Sequence, residues 1–387
     1  MMRRFALLGL ATLLFAAGCD KDEDVDPPAE LVDVEPTLQV KELWSTRVGD
    51  AGEHLRLSLG IAVDGDTLYV ASYKGVVHAI SAADGRMRWR VETKLALSAG
   101  PGGGNGLVAL GTSDGDVVAL EAADGRQRWK ARVSGEVLSA PLVAGDRVVV
   151  RTLDGRMRAL SASDGRELWL VEELVPRLSL RGAAAPVVSG DVVICGFDTG
   201  KLVAVSLATG EALWQAQVST PSGRTELERL ADVDAAVRVS GDDVYAVGYQ
   251  GRLVMLSLDS GQVWWGRDVS SYRGLALDDD QIYVSAADGA VIALKRRDGS
   301  VVWQQDGLHQ RGLGTPAVDG STVVVGDFEG YLHWLDRDTG RFVARERPGD
   351  TPIRTPVVGS GRLYALDIDG TLVAYTSSGA DAAPGGV

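Results

Sequence analysis

From about residue 38 onward the chain alternates short apolar runs with polar turns, and the pattern returns at a spacing near 40 residues. An apolar run such as Thr67 to Ala71 or Val323 to Val325 precedes a turn, and a second run such as Val117 to Leu120 or Val291 to Leu294 follows one. The glycines of these turns are Gly75, Gly115, Gly155, Gly200, Gly251, Gly289, Gly330 and Gly370. Runs this short, punctuated by Gly and Asp, predict strands, and their recurrence at a fixed period marks an array of like units. Asp-Gly pairs at 114–115, 154–155, 288–289 and 369–370 supply the positive dihedrals that a tight hairpin demands. Eight turn glycines therefore predict eight units, each a meander of four antiparallel strands.

A second glycine in each unit is followed four residues later by tryptophan: Gly85 with Trp89, Gly125 with Trp129, Gly165 with Trp169, Gly210 with Trp214, Gly261 with Trp265, and Gly299 with Trp303. A large ring at one slot per sheet reads as packing between sheets, with its N–H bonded nearby. In the seventh unit the slot after Gly340 holds Ala344. The eighth unit stops early, because Ala374-Tyr375-Thr376 runs into a polar tail. The stretch Leu38 to Arg47 carries Trp44 with no preceding strands of its own, so it is expected to complete the eighth sheet. Closure of that kind leaves only short, protected edges. The predicted fold is all-β: an eight-bladed β-propeller of four-stranded antiparallel blades, closed by the N-terminal strand.

Forty-eight glycines and few aromatics suit this architecture. The formal net charge of −14 argues against nucleic acid as a partner. Half of it is local: residues 20–36 hold eight acids against Lys21, a net of −7. With Pro27, Pro28 and Pro36, that stretch cannot bury enough apolar surface to fold alone. Ahead of it, Arg3 and Arg4 precede an apolar run from Phe5 to Phe15 and small residues before Cys19, the layout of an export signal. The small residues ending at a cysteine resemble a bacterial lipobox, although Ala16 stands where leucine is usual. That resemblance implies a signal peptide over 1–18 and lipidation of Cys19. An acidic tether over 19–37, a propeller over 38–377 and a disordered tail over 378–387 complete the expected organisation.

Candidate chemistry is sparse. The only other cysteine, Cys195, lies in an apolar strand and reads as a small core residue. His54, His78, His309 and His333 are scattered without metal-ligand spacing. Asp20, Asp22 and Asp24 start like a calcium loop, but Val25 stands where the sharp turn needs glycine. No phosphate loop, nucleophile elbow or dinucleotide fingerprint occurs. The expectation is a protein without catalytic residues, metal or cofactor.

The unit Ala119-x-Glu121-x-x-Asp124-Gly125-x-x-x-Trp129 resembles the tryptophan-docking repeat of pyrroloquinoline-quinone-type propellers. Quinoprotein dehydrogenases of that superfamily use adjacent cysteines, absent here. A quinone-binding dehydrogenase or sensor is the alternative function, and a cell-surface adhesion or carbohydrate-binding propeller a third. Two inserts break the repeat, at 175–182 and 222–234, where the tryptophan spacing swells to 45 and then 51 residues. Both inserts, together with 327–335 and 339–344, resemble the BamB family of outer-membrane protein assembly factors. The resemblance implies an accessory lipoprotein of the β-barrel assembly machinery that docks on a periplasmic POTRA domain of BamA. Other lipoproteins of the machinery would be reached indirectly, and unfolded outer-membrane clients are possible ligands. It carries the docking role onto Leu178, Leu180, Arg181, Asp232 and Asp234. From the residues alone the leucines read equally as strand core, and the aspartates as loop caps. Outer-membrane anchoring on the periplasmic face is implied, although Asp20 after the lipidated cysteine is a signal that retains enteric lipoproteins in the inner membrane.

Overall fold

A computed structural model describes residues 26–49, 58–176, 178, 183–219, 224–225 and 232–379. Among these residues all regular structure is β, arranged as eight antiparallel sheets round a ring. Blade 1 pairs Ile61–Asp64, Thr67–Ala71, Val76–Ser81 and Met87–Glu92 in that order, and blades 2 to 7 repeat the scheme. Blade 8 is assembled from both ends of the chain: Val357–Gly359, Arg362–Leu366 and Thr371–Gly379, with Leu38–Arg47 as its outermost strand. The C-terminal strand reaches Gly379, beyond Thr376 where the polar composition suggested an end. Leu38 to Lys41 lie opposite its last residues and satisfy their backbone. One element escaped the repeat pattern: Ser58–Leu59 adds in parallel to Leu97–Gly104 of blade 2.

The tryptophans act between blades as the pattern predicts. Each indole N–H donates to a carbonyl of the following blade: Trp44 to Ala82, Trp89 to Ala122, Trp129 to Ala162, Trp169 to Leu207, Trp214 to Leu258, Trp265 to Arg296 and Trp303 to Arg337, at 2.7–3.3 Å. The indole also lies on the second-turn glycine of that blade, so that a Cβ there would collide with it. A bulge next to the slot interrupts the pairing of the third and outermost strands in all eight blades. Such a bulge adds local twist and re-aims the side chain. Directly across from the indole usually sits an alanine, as in Ala119 with Trp129 or Ala204 with Trp214, which leaves room for the flat ring.

Blade 7 keeps this pair but exchanges the strands, with Trp334 on the third and Ala344 on the outermost. The cause lies in the closure. The outermost strand of blade 8 comes from the N-terminus, so blade 8 has no turn between its third and fourth strands and no glycine there to receive an indole. Trp334 fills the interface instead, fully buried and edge-on to Tyr375 at 5.8 Å.

Blades 1 to 7 place the turns after their first and third strands on one face of the ring, as blade 8 does the turn after its first. The turn after each second strand, and the connection to the next blade, lie on the other, called here the loop face. Connections are pinned to these turns from the start: the N–H groups of Val133, Glu173 and Val218 donate to Gly115, Gly155 and Gly200.

Residues 26–37 fall within the segment read as a solvated tether, yet they lie along blades 6 and 7. Leu31 packs on the core between those blades. Ala29 N–H donates to His309 O and Thr37 N–H to Val343 O, both at 2.9 Å. Arg311 reaches Ala29 O at 3.0 Å and Arg345 reaches Val32 O at 2.7 Å. The segment has too little apolar surface to fold alone; the ring supplies the partners it lacks.

Candidate partner-docking face

The two longest connections on the loop face run from 173 to 186, between blades 3 and 4, and from 218 to 237, between blades 4 and 5. They contain the two inserts that break the repeat. The first is held at both ends. Glu173 accepts from Gln215 at 2.9 Å and lies 3.8 Å from the Lys201 ammonium, while Ala183 and Ala184 are buried. Beneath it Arg151 and Asp198 form an ion pair at 2.8 Å, both fully buried at the interface of blades 3 and 4. The Arg151 guanidinium also stacks on Phe197 at 4.4 Å and donates to Thr152 O. Cys195 lies in the same core, and burial pushes its thiol up to about 12, which makes it inert at neutral pH, as a core residue should be.

Between these supports the first connection presents apolar side chains to solvent. Leu174 is 83% exposed, Val175 43% and Leu178 41%. Leu178 sits in a bend rather than a strand, which separates it from the strand-core reading. Leu180 and Arg181 lie outside the described residues. Sequence reasoning missed Leu174 and Val175; the signal was there, in an apolar pair continuing past the end of the strand Glu167–Glu172 into a Pro-containing loop. Exposed apolar side chains close together in sequence on a connection held at both ends make this a candidate surface for a partner.

The second connection returns to the ring at Asp232 and Asp234. Asp232 is buried and Asp234 half-buried. Tyr249 N–H donates to Asp232 O at 3.0 Å, and Val233 packs beneath the end of blade 4. The two aspartates therefore stand at the base of the loop, closer to the capping reading than to an exposed acceptor pair. Beside them Tyr249 and Tyr272 meet edge-on at 5.9 Å, with Arg273 over the Tyr272 ring at 4.9 Å. Tyrosine and arginine are among the residues enriched where protein surfaces bind one another, and this pair lies on the loop face of blade 5.

Among the described residues no group of three or more His, Cys, Asp or Glu is placed to hold a metal. His333 is buried in a charge cluster of blade 7. Its Nε2 faces Asp327 at 3.1 Å and its Nδ1 accepts from Arg345 Nε at 3.0 Å. Accepting at Nδ1 requires the proton on Nε2, hence a neutral ring, and burial together with the Arg345 and Arg311 charges lowers its pKa accordingly. Asp327 also accepts from Arg311 at 2.8 Å and from two backbone N–H groups. Both lobes of its carboxylate are thus occupied, as in a structural cap.

A cavity of about 510 Å³ opens where the innermost strands of blades 5 to 8 converge, with Arg238, Asp278 and Asp279 among its lining. Its carboxylates and guanidinium alternate with Val239, Leu277, Val318 and Val357, and adjacent cysteines are absent from the chain.

Comparison with known proteins shows the family. A family profile described as outer membrane protein assembly factor BamB matches residues 34–96, 74–305 and 306–382. The outer membrane protein assembly factor BamB of Pseudomonas aeruginosa is 44% identical over 373 residues, covering 96% of this chain and 98% of the relative. The crystal structure of BamB from Moraxella catarrhalis superposes with a TM-score of 0.81 at 27% identity, over 87% of this chain and all of that one. A quinohemoprotein alcohol dehydrogenase from Comamonas testosteroni reaches a TM-score of 0.68 at 13% identity, covering 87% of this chain and 76% of its own, and shares the fold alone.

Proposed function

We infer function from the premise that this chain belongs to the outer membrane protein assembly factor BamB family: it is a non-catalytic scaffold subunit of the machinery that assembles proteins into the outer membrane. The relatives carry an assembly factor's name, and the chain offers docking surface rather than a reaction centre.

We further propose that the loop face binds a periplasmic POTRA domain of BamA, through Leu178, Leu180 and Arg181 with Leu174 and Val175 beside them. The single observation that carries this is the exposed apolar run on the connection between blades 3 and 4, held over the buried Arg151–Asp198 pair. Apolar anchors exclude water at the centre of such a contact, and a guanidinium adds bidentate bonds to carboxylate or carbonyl groups. Asp232 and Asp234 then serve by fixing the second loop. Lipidation at Cys19 and residence at the outer membrane complete the proposal.

The test is capture. Leu180→Asp or Arg181→Glu is expected to abolish co-purification with BamA while leaving the melting temperature of the ring unchanged. Undiminished capture by both variants removes the docking assignment. Membrane fractionation tests the location: recovery with the inner membrane, the outcome Asp20 would favour, overturns outer-membrane residence. The quinone alternative draws only on a shared fold.

A further inference from the structure

The closing strand poses a topological problem that the segment before it solves. Leu38 lies opposite Gly379 and Arg47 opposite Thr371, and Val48 N–H then donates to Gly370 O in a loop-face turn. The strand therefore begins on the face opposite the loops and ends on the loop face. Were residues before Leu38 unattached, the N-terminal lead would leave the ring on the side away from Leu174, Leu178 and Asp232.

Residues 26–37 reverse that exit. Thr37 is bonded to Val343, near the start of the outermost strand of blade 7, and Val32 to Arg345 further along it. Ala29 and Asp26 then meet the blade 6–7 connection on the loop face, with Asp26 2.6 Å from His309 Nε2 and 3.3 Å from Gln310 Nε2. Pro28 to Leu31 also wall a cavity of about 410 Å³ with Arg311, Phe328, Glu329 and Tyr331.

We propose that residues 26–37 are a docked strap that carries the lipid-anchored lead back across the blade, so that the anchor and the docking loops share one face and that face is turned to the membrane. This rests on the lipidation of Cys19. Seven residue steps separate Cys19 from Asp26, about 25 Å at full extension, against about 68 Å for the nineteen steps to Leu38. A blade strand of six residues is already about 20 Å long. With the strap docked, the lead starts on the loop face and would have to double back along about 20 Å of blade, most of its full extension, to reach the other. With it released, the lead is long enough to permit either orientation.

The experiment uses the full lipid-bearing chain. Hydrogen exchange of the Ala29 and Thr37 amides reports docking: both are expected to be protected, and to lose protection at Ala29 in Asp26→Ala and at both sites in Leu31→Asp. Orientation is read on vesicles of phosphatidylethanolamine and phosphatidylglycerol doped with an acceptor lipid. A donor dye is placed at Asp350→Cys on the loop face or at Asp146→Cys on the opposite face. Cys195 is buried and does not compete for the dye. Energy transfer is expected to be at least twofold greater from position 350, and to become equal in Leu31→Asp. A chain that fails to float with the vesicles refutes the lipid anchor, and the exchange arm then still decides whether the strap is docked. A chain that floats but transfers equally from both positions, or whose Ala29 and Thr37 amides exchange freely, overturns the strap.

Discussion

The tryptophan–glycine contact between blades can be isolated with two alanine substitutions at glycines of similar backbone conformation. Gly340 has φ of +70°, and a Cβ there would lie 2.5 Å from Trp303 Cε3 and 2.6 Å from Cδ2, well inside contact distance. Gly241 has φ of +59° in the turn after the first strand of blade 5, and a Cβ there meets nothing within 4 Å. Alanine at either position incurs the left-handed penalty, about 1–2 kcal/mol. At Gly340 the indole must also move, which adds about 1–3 kcal/mol of overpacking. The expected destabilisation is therefore roughly 2–5 kcal/mol for Gly340→Ala and about 1–2 for Gly241→Ala.

Unfolding a ring of this length carries an entropy of about 0.7 kcal/mol/K, so these become falls in melting temperature of roughly 3–7 °C and 1.5–3 °C. Calorimetry and urea titration both read the difference. The decisive arm repeats Gly340→Ala in a Trp303→Ala background, where the substitution should cost only what it costs at Gly241. The coupling should then be about 1–3 kcal/mol. Equal costs at the two glycines, or a coupling below about 0.5 kcal/mol, would show that the indole does not bear on that turn and would falsify the blade-to-blade account.

Three further outcomes follow from buried groups. Asp198→Ala strips Arg151 of its buried counter-charge and should cost about 3–5 kcal/mol in urea unfolding, because an uncompensated guanidinium remains at the blade interface. The same variant, kept below its melting temperature, should bind BamA less well, since the pair lies under the first connection. Stability should also fall with acid in a defined order. His333 is lowered by burial and by the Arg345 and Arg311 charges, and His78 by burial and Arg90, so both bind protons more readily unfolded. Their contribution is complete above the ordinary histidine value of about 6.5 and is lost as pH falls from there through the folded values. Asp327 follows at lower pH: desolvation opposes its charge, but hydrogen bonds from His333, Tyr331 N–H and Arg311 outweigh it and hold it below the usual carboxylate range. Urea midpoints measured from pH 7.5 to 3 should show the first loss beginning below about 6.5, and His333→Gln should flatten that part of the profile.

The fold was legible because the repeat states each structural requirement many times. The turn glycines, the alanine–tryptophan pair and the unattached strand carrying Trp44 each constrain the same ring, and each is found where the spacing puts it. Ala344 looked like a defect in that pattern. Its meaning needs three dimensions, because the exchange with Trp334 depends on the missing turn of blade 8, and that turn is missing only because the closing strand comes from the other end of the chain. The strap was illegible for a related reason. Periodicity and apolar content measure what a segment can do for itself, whereas residues 26–37 are held through backbone groups by Arg311, Arg345 and His309, 280 or more residues away.

The proposed docking surface was half legible, and the division follows burial. Interruption of the repeat located both inserts, since residues added to the repeat supply none of its blade strands. It did not rank the residues inside them. The residues alone read Leu178 equally as strand core, but core requires a neighbouring sheet to cover it, and Leu178 sits exposed in a bend past the end of its blade. Asp232 differs in the opposite sense: the chain turns back into the ring at Val233 and takes the preceding residue with it, in keeping with the loop-cap reading of the residues. Leu174 and Val175 carry the sharper lesson. They follow Glu172 and Glu173 at the end of the outermost strand of blade 3, where a polar loop would be expected to continue, and are flanked by the Glu173 contacts on one side and buried Ala183–Ala184 on the other. An apolar pair kept in water by a built scaffold is a stronger sign of a partner than the two aspartates that sequence resemblance singled out. Leu174→Asp should therefore weaken capture of BamA at least tenfold, about 1.4 kcal/mol or more, whereas Asp234→Asn should change it less; a pull-down titration that ranks them the other way returns the central role to the aspartates.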